Sequence, residues 1–153
     1  SPSKADVCRK LGAEAVILHM WREPRTMQAD PEYGDVVREV GEYLIRQTAT
    51  CQVEGILKER LLIDPGIGFG KTAEQSLELL RRLREFVAMG YPVLLGPSRK
   101  SFIGKVLDLP VGERLEGTAA AVAAAVLNGA SVVRVHDVKP MVRVVRMAEA
   151  IRG

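Results

Sequence analysis

Four glycines, each at the end of a segment with helical periodicity, divide this chain into repeating units. Gly12, Gly55, Gly90 and Gly129 are each followed within a few residues by a short run of β-branched or leucine residues. Glycine readily adopts the left-handed conformation that ends a helix, so this spacing predicts helix ends followed by strands. The repeated unit is roughly 35 to 45 residues long, which is typical of βα units.

The predicted strands are residues 15–20, 61–64, 93–95 and 132–135. These runs are continuously apolar, as expected of parallel strands buried on both faces. Apolar residues at helical spacing mark the intervening helices, at Val36, Val40 and Leu44, at Leu80, Leu83 and Val87, at residues 118–128, and at Val142, Val145, Met147 and Ile151. The sequence therefore predicts one α/β domain over residues 1–153, with parallel βα units forming about half of a TIM (β/α)₈ barrel.

Polar residues stand at the end of every predicted strand. They are His19 after the first, Asp64 after the second, Ser98, Arg99 and Lys100 after the third, and Arg134, His136 and Asp137 at the fourth. The carboxyl ends of parallel strands lie on one side of a sheet, where barrels and doubly wound sheets bind ligands. We therefore expect these side chains to converge on one face.

A glycine-rich segment follows the second strand, reading Ile-Asp-Pro-Gly-Ile-Gly-Phe-Gly-Lys-Thr over residues 63–72. It is not a P-loop, because Pro65 stands where that motif requires a glycine. Its glycines let the backbone approach a flat ligand closely, between the carboxylate of Asp64 and the ring of Phe69. The alternative interpretation is that Asp64 only forms a turn before Pro65.

Two basic segments follow the third and fourth strands. Residues 98–101 place two cations and two hydroxyls within one turn, and a solvated basic loop is the alternative. Arg134 and His136 are two residues apart, so on an extended strand both point to the same side and can reach one ligand. A buried arginine needs an anion or a carboxylate partner, so a structural salt bridge is the alternative there. Core packing explains His19 and Met20 as well as ligand contact does.

Composition excludes several classes of protein. The formal charge of +3 is spread along the chain without a basic, aromatic-interleaved stretch, so no nucleic-acid partner is expected. The longest strongly apolar stretch, residues 119–127, is too short to cross a membrane. Cys8 and Cys51 form neither a zinc motif nor a disulfide framework, which favours a reducing cytoplasm.

Four motifs in order resemble those of the dihydropteroate synthases, a pterin-binding family. They are His-Met leading to Pro-x-Thr-Met-Gln (residues 19–28), Asp-Pro-Gly-x-Gly-Phe-Gly-Lys (64–71), Ser-Arg-Lys-Ser (98–101) and Arg-Val-His-Asp (134–137). The resemblance runs through essentially the whole chain and implies strands 5 to 8 of the family barrel, its C-terminal half. We therefore expect the chain to have been cut from a longer protein, because the family's N-terminal half is absent.

The resemblance implies condensation of hydroxymethyl-dihydropterin pyrophosphate with p-aminobenzoate, releasing pyrophosphate, in folate biosynthesis. It implies a pterin site of Asp64, Lys100, Met20 and Phe69, a p-aminobenzoate site of Arg99, Ser101 and Phe69, a pyrophosphate site of Arg134 and His136, and catalytic roles for Lys100, Arg134 and His136. It also implies Mg²⁺, with its main ligands on the pyrophosphate or in the absent half. For the whole protein, the resemblance implies a cytoplasmic homodimer that is a target of sulfonamides.

Two alternatives remain open from the sequence. One is the pterin-binding barrel of a methyltetrahydrofolate methyltransferase. The other is a non-catalytic folding or assembly fragment, because an isolated half-barrel exposes both edge strands and one apolar sheet face. The absent half could belong to the full protein, come from another chain, or be replaced by a second copy; we favour the first.

Overall fold

A computed structural model of the chain describes residues 3–20 and 34–153. In this part of the chain the strands are β1 (Ala15–Leu18), β2 (Leu61–Asp64), β3 (Leu94–Leu95) and β4 (Val132–Val133). The helices are α1 (Lys4–Leu11), α2 (Val36–Val53), α3 (Ala73–Arg81), α4 (Leu83–Val87), α5 (Ser101–Leu107), α6 (Leu115–Leu127) and α7 (Val138–Arg152), with 3₁₀ turns at Lys58–Arg60 and Val111–Glu113. None of these described helices combines the length and the apolar character needed to span a bilayer.

Neighbouring strands run parallel and follow one another in chain order. β1 pairs with β2, from Ala15 opposite Leu61 to Leu18 opposite Asp64. β3 pairs with β4, and a parallel bridge between Ile63 and Val93 joins the two pairs. Helices connect successive strands, as in a barrel. The prediction of parallel βα units matching part of a barrel is confirmed.

The four glycines end their segments as the sequence predicts. Gly12, Gly55, Gly90 and Gly129 have φ angles of 61°, 92°, 87° and 99°, all in the left-handed region. Ahead of β1 and β3 these glycines follow α1 and α4 closely, and ahead of β2 and β4 they follow α2 and α6. The repeated unit seen in the sequence is therefore the repeated unit of the fold.

The two faces of the sheet differ. Ile17, Ile63, Leu95 and Val133 share the face that packs against the helices, in a core that includes Leu44, Leu79 and Phe86. The opposite face is more open, since Val16 is 45% exposed and Val132 is 40% exposed. The expectation of strands buried on both faces is thus wrong for this face, because four strands do not close a barrel interior. Side chains alternate along a strand, so this open face also carries Asp64, two positions beyond Leu62, and Arg134, two positions beyond Val132.

Several boundaries differ from those predicted. β1 ends at Leu18 and β4 at Val133, earlier than the apolar runs indicate. The stripe through Leu80, Leu83 and Val87 is divided between α3 and α4. On α7 the buried residues are Met141 and Ala148, two turns apart, whereas the predicted Val142, Met147 and Ile151 are exposed. Helix α5 was not predicted, because only seven residues separate its start from its left-handed end at Asp108.

Candidate active site at the carboxyl ends of the strands

Asp64 is the last residue of β2 and is buried, with 8% of its surface exposed. Its Oδ1 accepts a hydrogen bond of 2.8 Å from the backbone N–H of Gly66. Burial raises the pKa of Asp64, while this hydrogen bond and nearby cations act in the opposite direction. Among the described residues no donor contacts Oδ2, so that oxygen is available to accept hydrogen bonds from a bound molecule.

The glycine loop, defined as residues 65–71, lies directly against the end of β1. Gly66, Gly68 and Gly70 have φ angles of 73°, 81° and 60°, which glycine adopts without steric cost. A Cβ on Gly66 would stand 1.8 Å from the carbonyl oxygen of His19, so no side chain fits there. The N–H of His19 in turn donates to the carbonyl of Asp64 at 3.1 Å. The end of β1 is therefore the wall against which the loop is folded.

Lys100 connects the glycine loop to the third strand. Its Nζ donates a hydrogen bond of 2.6 Å to the carbonyl of Ile67 and lies 4.3 Å from the centroid of the Phe69 ring, a cation–π distance. Burial lowers the pKa of Lys100; the charge of Asp64 opposes this shift and that of Arg134 adds to it. The structure thus brings Asp64, Lys100, Phe69 and Arg134 together at the carboxyl ends of the strands, as the sequence predicts. We call these strand ends the rim, with a β1–β2 side and a β3–β4 side.

Lys71, for which no role was predicted, is bound at the same strand ends. Its Nζ donates to the carbonyls of Gly66 at 2.8 Å and Phe69 at 3.0 Å, and lies 3.0 Å from Nδ1 of His19. Burial lowers the pKa of Lys71 to about 7. Burial, with the charge of Lys71, lowers the pKa of His19 to about 4. The sequence signal for this residue is its place in the glycine-rich segment 63–72.

Ser98 joins the ends of β3 and β4. This buried hydroxyl accepts a hydrogen bond of 3.1 Å from the backbone N–H of His136 and lies 2.7 Å from Nδ1 of the same residue. Ser98 is one of the predicted strand-end residues, and no role was predicted for it. Because Nδ1 is engaged by Ser98, the imidazole of His136 presents its other nitrogen, Nε2, away from the hydroxyl.

Arg99 is held by the neighbouring strand end. Its guanidinium makes two hydrogen bonds to the carboxylate of Asp137, of 2.7 and 3.1 Å, and lowers the pKa of that carboxyl. Its backbone has a left-handed φ of 56°, fixed by a hydrogen bond to Thr118 and by one from Arg114 to its carbonyl. The guanidinium of Arg99 is therefore bound to the carboxylate of Asp137, the residue just before α7.

Arg134 and His136 both lie on the open face. The N–H of Arg134 continues the pairing with β3 by donating to the carbonyl of Leu95 at 2.9 Å. Exposed and half-buried residues alternate from Val132 to His136, which puts the side chains of Val132, Arg134 and His136 on one side. The premise that Arg134 is a buried arginine is wrong, because its side chain is exposed where the sheet is not closed into a barrel.

The remaining predicted residues lie at the edges of this site. Met20 is exposed two residues beyond β1, and Ser101 is the exposed first residue of α5. The segment Pro-Arg-Thr-Met-Gln at residues 24–28 lies outside the described residues. Within residues 3–20 and 34–153, no group of three or more His, Cys, Asp or Glu side chains is arranged to hold a metal ion.

Known proteins with this pattern share both the sequence and the fold. The chain is 44% identical to the dihydropteroate synthase of Escherichia coli K12 over 149 residues, which are 97% of this chain and 53% of that protein. The Yersinia pestis dihydropteroate synthase, solved with a sulfonamide drug complex, superposes with a TM-score of 0.93 at 36% identity, covering 99% of this chain and 55% of the other.

The dihydropteroate synthase of Thermus thermophilus has been solved in complex with 4-aminobenzoate and with 6HMPPP. Both structures superpose with a TM-score of 0.89 at 40% identity and cover 97% of this chain. The match covers 61% of the synthase chain in the 4-aminobenzoate complex and 59% in the 6HMPPP complex. The chain thus spans about half the length of the relatives it matches. Residues 1–136 match the family described as pterin binding enzyme. The chain therefore belongs to the pterin-binding enzyme family.

Proposed function

We propose that the full-length protein containing this chain is a dihydropteroate synthase, which condenses hydroxymethyl-dihydropterin pyrophosphate with p-aminobenzoate. The observation that carries the proposal is the meeting of a buried carboxylate, an ammonium group and an aromatic ring at the strand ends, from Asp64, Lys100 and Phe69. The relatives reported above all bear the synthase name, which favours this function over a methyltetrahydrofolate methyltransferase.

The pterin is held by the β1–β2 side of the site. The Asp64 carboxylate accepts hydrogen bonds from the ring N–H and the exocyclic amine, a bidentate pairing like that with a guanidinium. Lys100 donates to the pterin carbonyl and a ring nitrogen, while Phe69 and Met20 pack on the ring. Burial supports this assignment, because a hydrogen bond to a charged group is stronger where water is excluded.

The other two groups lie towards the β3–β4 side. Arg134 and His136 bind the pyrophosphate, and Arg99, Ser101 and Phe69 line the p-aminobenzoate site. The carbon–oxygen bond breaks with its electron pair on pyrophosphate, and the arylamine lone pair forms the new carbon–nitrogen bond before its proton passes to water. Arg134 and His136 stabilise the charge that grows on the leaving group. A weakly basic arylamine needs placement more than a strong base.

The resemblance also implies Mg²⁺ at the pyrophosphate, but the described residues on that side do not fit the ion by themselves. Mg²⁺ prefers oxygen ligands in octahedral geometry, whereas Arg134 and His136 offer a guanidinium and an imidazole, and the carboxylate of Asp137 is bound by Arg99. We therefore expect its ligands to come from the pyrophosphate and from outside this part of the chain, and we assign no step to the ion.

In this proposal residues 1–153 are the C-terminal portion of the barrel domain and supply its strands 5 to 8. The other half-barrel covers the open face on which Val16 and Val132 are exposed. We further propose that the whole protein is a cytoplasmic homodimer and a target of sulfonamides. The 153-residue chain alone then acts as a folding fragment without turnover, because only part of the site is present.

The test is product formation by the full-length protein supplied with both substrates and Mg²⁺, followed by chromatography of the pterin product and by pyrophosphate release. We expect the two products to appear together and only when both substrates are present. No condensation under conditions where the Escherichia coli enzyme works would refute the proposal. Turnover by residues 1–153 alone would refute the view that the other half-barrel completes the site.

A further inference from the structure

We propose that Lys71 is a positioning residue of the pterin site, which fastens the glycine loop to the end of β1 and thereby sets Asp64 and Phe69. This inference rests on the proposed function, but it assigns to Lys71 a role distinct from that of Lys100. It follows from where the three N–H donors of the lysine ammonium group are used.

All three donors of Lys71 are directed at groups of this chain. Two go to the carbonyls of Gly66 and Phe69, and the third faces Nδ1 of His19, all between 2.8 and 3.0 Å. A lysine ammonium has three donors and no acceptor. With its donors used in this way, Lys71 binds protein and has none left for a ligand.

Lys100 provides the contrast within the same rim. Among the described residues its Nζ donates one hydrogen bond, to the carbonyl of Ile67, and its charge lies over the Phe69 ring. Two donors of Lys100 therefore remain for a bound molecule. The two lysines therefore have different roles: Lys71 holds the glycine loop and Lys100 faces the ligand site.

The contacts of Lys71 reach both pterin-binding groups through one peptide each. Gly66 accepts from Lys71 through its carbonyl and donates to Asp64 through its N–H at 2.8 Å, so the lysine fixes the peptide that orients the carboxylate. The carbonyl of Phe69 is the second acceptor, which fixes the backbone that carries the ring. Without this fastening, a loop with three glycines has many other conformations available.

The anchor at the other end of these contacts is itself immobilised. The His19 ring meets the ring of Tyr43 edge-on, with centroids 4.9 Å apart and an interplanar angle of 89°. Its backbone N–H donates to Asp64, and its carbonyl leaves no room for a side chain on Gly66. A lysine tied to this wall therefore gives the loop a fixed position relative to β1.

The experiment compares Lys71→Met with wild type in the full-length protein, using 6-hydroxymethylpterin as a probe that lacks pyrophosphate. We expect the probe Kd and the KM for the pterin substrate each to rise about 10-fold or more, with kcat changed by less than about threefold, because positioning is lost while the reacting groups remain. Lys71→Arg should restore part of the affinity. Lys10→Met, on an exposed position of α1, is the matched control and should bind like wild type.

A double-mutant cycle with Phe69→Ala separates positioning from general damage. Because Lys71 acts partly by placing Phe69 and partly through Asp64, the loss of affinity in the double variant should be smaller than the sum of the two single losses, and fully additive losses would overturn the proposal. A large fall in kcat at unchanged Kd would also overturn it, since Lys71 would then contact reacting atoms. If Lys71→Met does not fold, His19→Gln, which removes one of the three contacts, carries the same cycle.

Binding of 6-hydroxymethylpterin by the wild-type protein separates failure of the proposed function from failure of the role of Lys71. If wild-type protein does not bind 6-hydroxymethylpterin, the proposed synthase function fails. If wild type binds it and Lys71→Met binds it equally well, the function stands and the role of Lys71 fails.

Discussion

The two halves of the site differ in how far the chain itself completes them. At the β1–β2 rim, Asp64 is buried and its neighbours Lys71 and His19 are bound to each other and to backbone carbonyls. At the β3–β4 rim, Arg134 and His136 are exposed on an open face. The difference follows from which parts of the fold are present: the glycine loop of the chain covers the β1–β2 side, whereas Arg134 and His136 lie on the face that the described strands leave open.

The largest effect is expected from Asp64→Asn in the full-length protein. The amide oxygen can still accept from Gly66, but the charge and one acceptor for the pterin are lost. We expect the Kd of 6-hydroxymethylpterin to rise about 100-fold, the scale of a buried charge-assisted pair at about 3 kcal/mol. The measurement is isothermal titration calorimetry.

The matched control for this change is Asp108→Asn, at the exposed left-handed end of α5, where asparagine is well tolerated. It should bind the probe like wild type. If Asp64→Asn binds the probe as well as wild type does, pterin binding does not depend on the buried carboxylate.

Arg134→Met should have the next largest effect, and a selective one. Affinity for the pterin pyrophosphate should fall about 10- to 50-fold through loss of a charge-assisted contact, while affinity for 6-hydroxymethylpterin stays within about twofold. Because the contact joins opposite charges, the wild-type preference for the pyrophosphate should also weaken as salt rises. Arg143→Met, exposed on α7, is the control, and equal losses for both ligands would contradict the division between the rims.

The buried rim also predicts how stability depends on pH. Lys71 keeps a pKa of about 7 in the folded chain against an ordinary 10.5. Between these values the unfolded chain binds more protons, so the free energy of unfolding should rise with pH. His19, at about 4 against 6.5, has the same sign at lower pH, whereas the raised pKa of Asp64 has the opposite sign. Above pH 7 the lowered pKa of Lys100 has the same sign as that of Lys71, so the share of Lys71 is found by comparing variants.

We expect the full-length protein to gain roughly 1 to 2 kcal/mol between pH 7 and pH 9 by denaturant unfolding, after allowing for partial solvation of the lysine. Lys71→Met should remove most of this rise and Lys10→Met should leave it. A rise of the same size in Lys71→Met would show that Lys100 or another group, and not Lys71, accounts for it.

Much of the fold could be predicted because it depends on local signals. The four glycines ended their segments, and the apolar runs became parallel strands, since both depend on a few neighbouring residues. The apolar run around Val16 by itself indicated burial, whereas the resemblance to a half-barrel predicted an exposed sheet face, because burial there depends on more strands than the described residues form. The buried face of α7 was misassigned because apolar residues lie on both of its faces, with Met141 buried and Val142 and Met147 exposed.

The site shows the same division. Asp64, Lys100 and Arg134 could be placed together from strand ends alone, because parallel topology collects them. The partners of Lys71 and Ser98 depend on loop conformations and on contacts across 52 and 38 residues of chain. Such contacts leave no periodic pattern in the sequence.

Ser98→Ala should have the smallest effect and tests the boundary between the two rims. The substitution removes the hydroxyl that engages Nδ1 of His136 and accepts its backbone N–H. We expect the KM for the pterin pyrophosphate to rise about threefold, the low end for one neutral hydrogen bond, because the imidazole loses its preferred orientation rather than its presence. Binding of 6-hydroxymethylpterin should be unchanged.

Ser131→Ala, at an exposed position just before β4, is the matched control and should not change either quantity. The comparison becomes sharper if the Ser98 effect disappears in a His136→Ala background, since the hydroxyl then acts only through that ring. If Ser98→Ala weakens 6-hydroxymethylpterin as much as the pyrophosphate ester, the hydroxyl serves the pterin side. The exposed rim would then be less independent of the buried one than their different hydrogen bonding indicates.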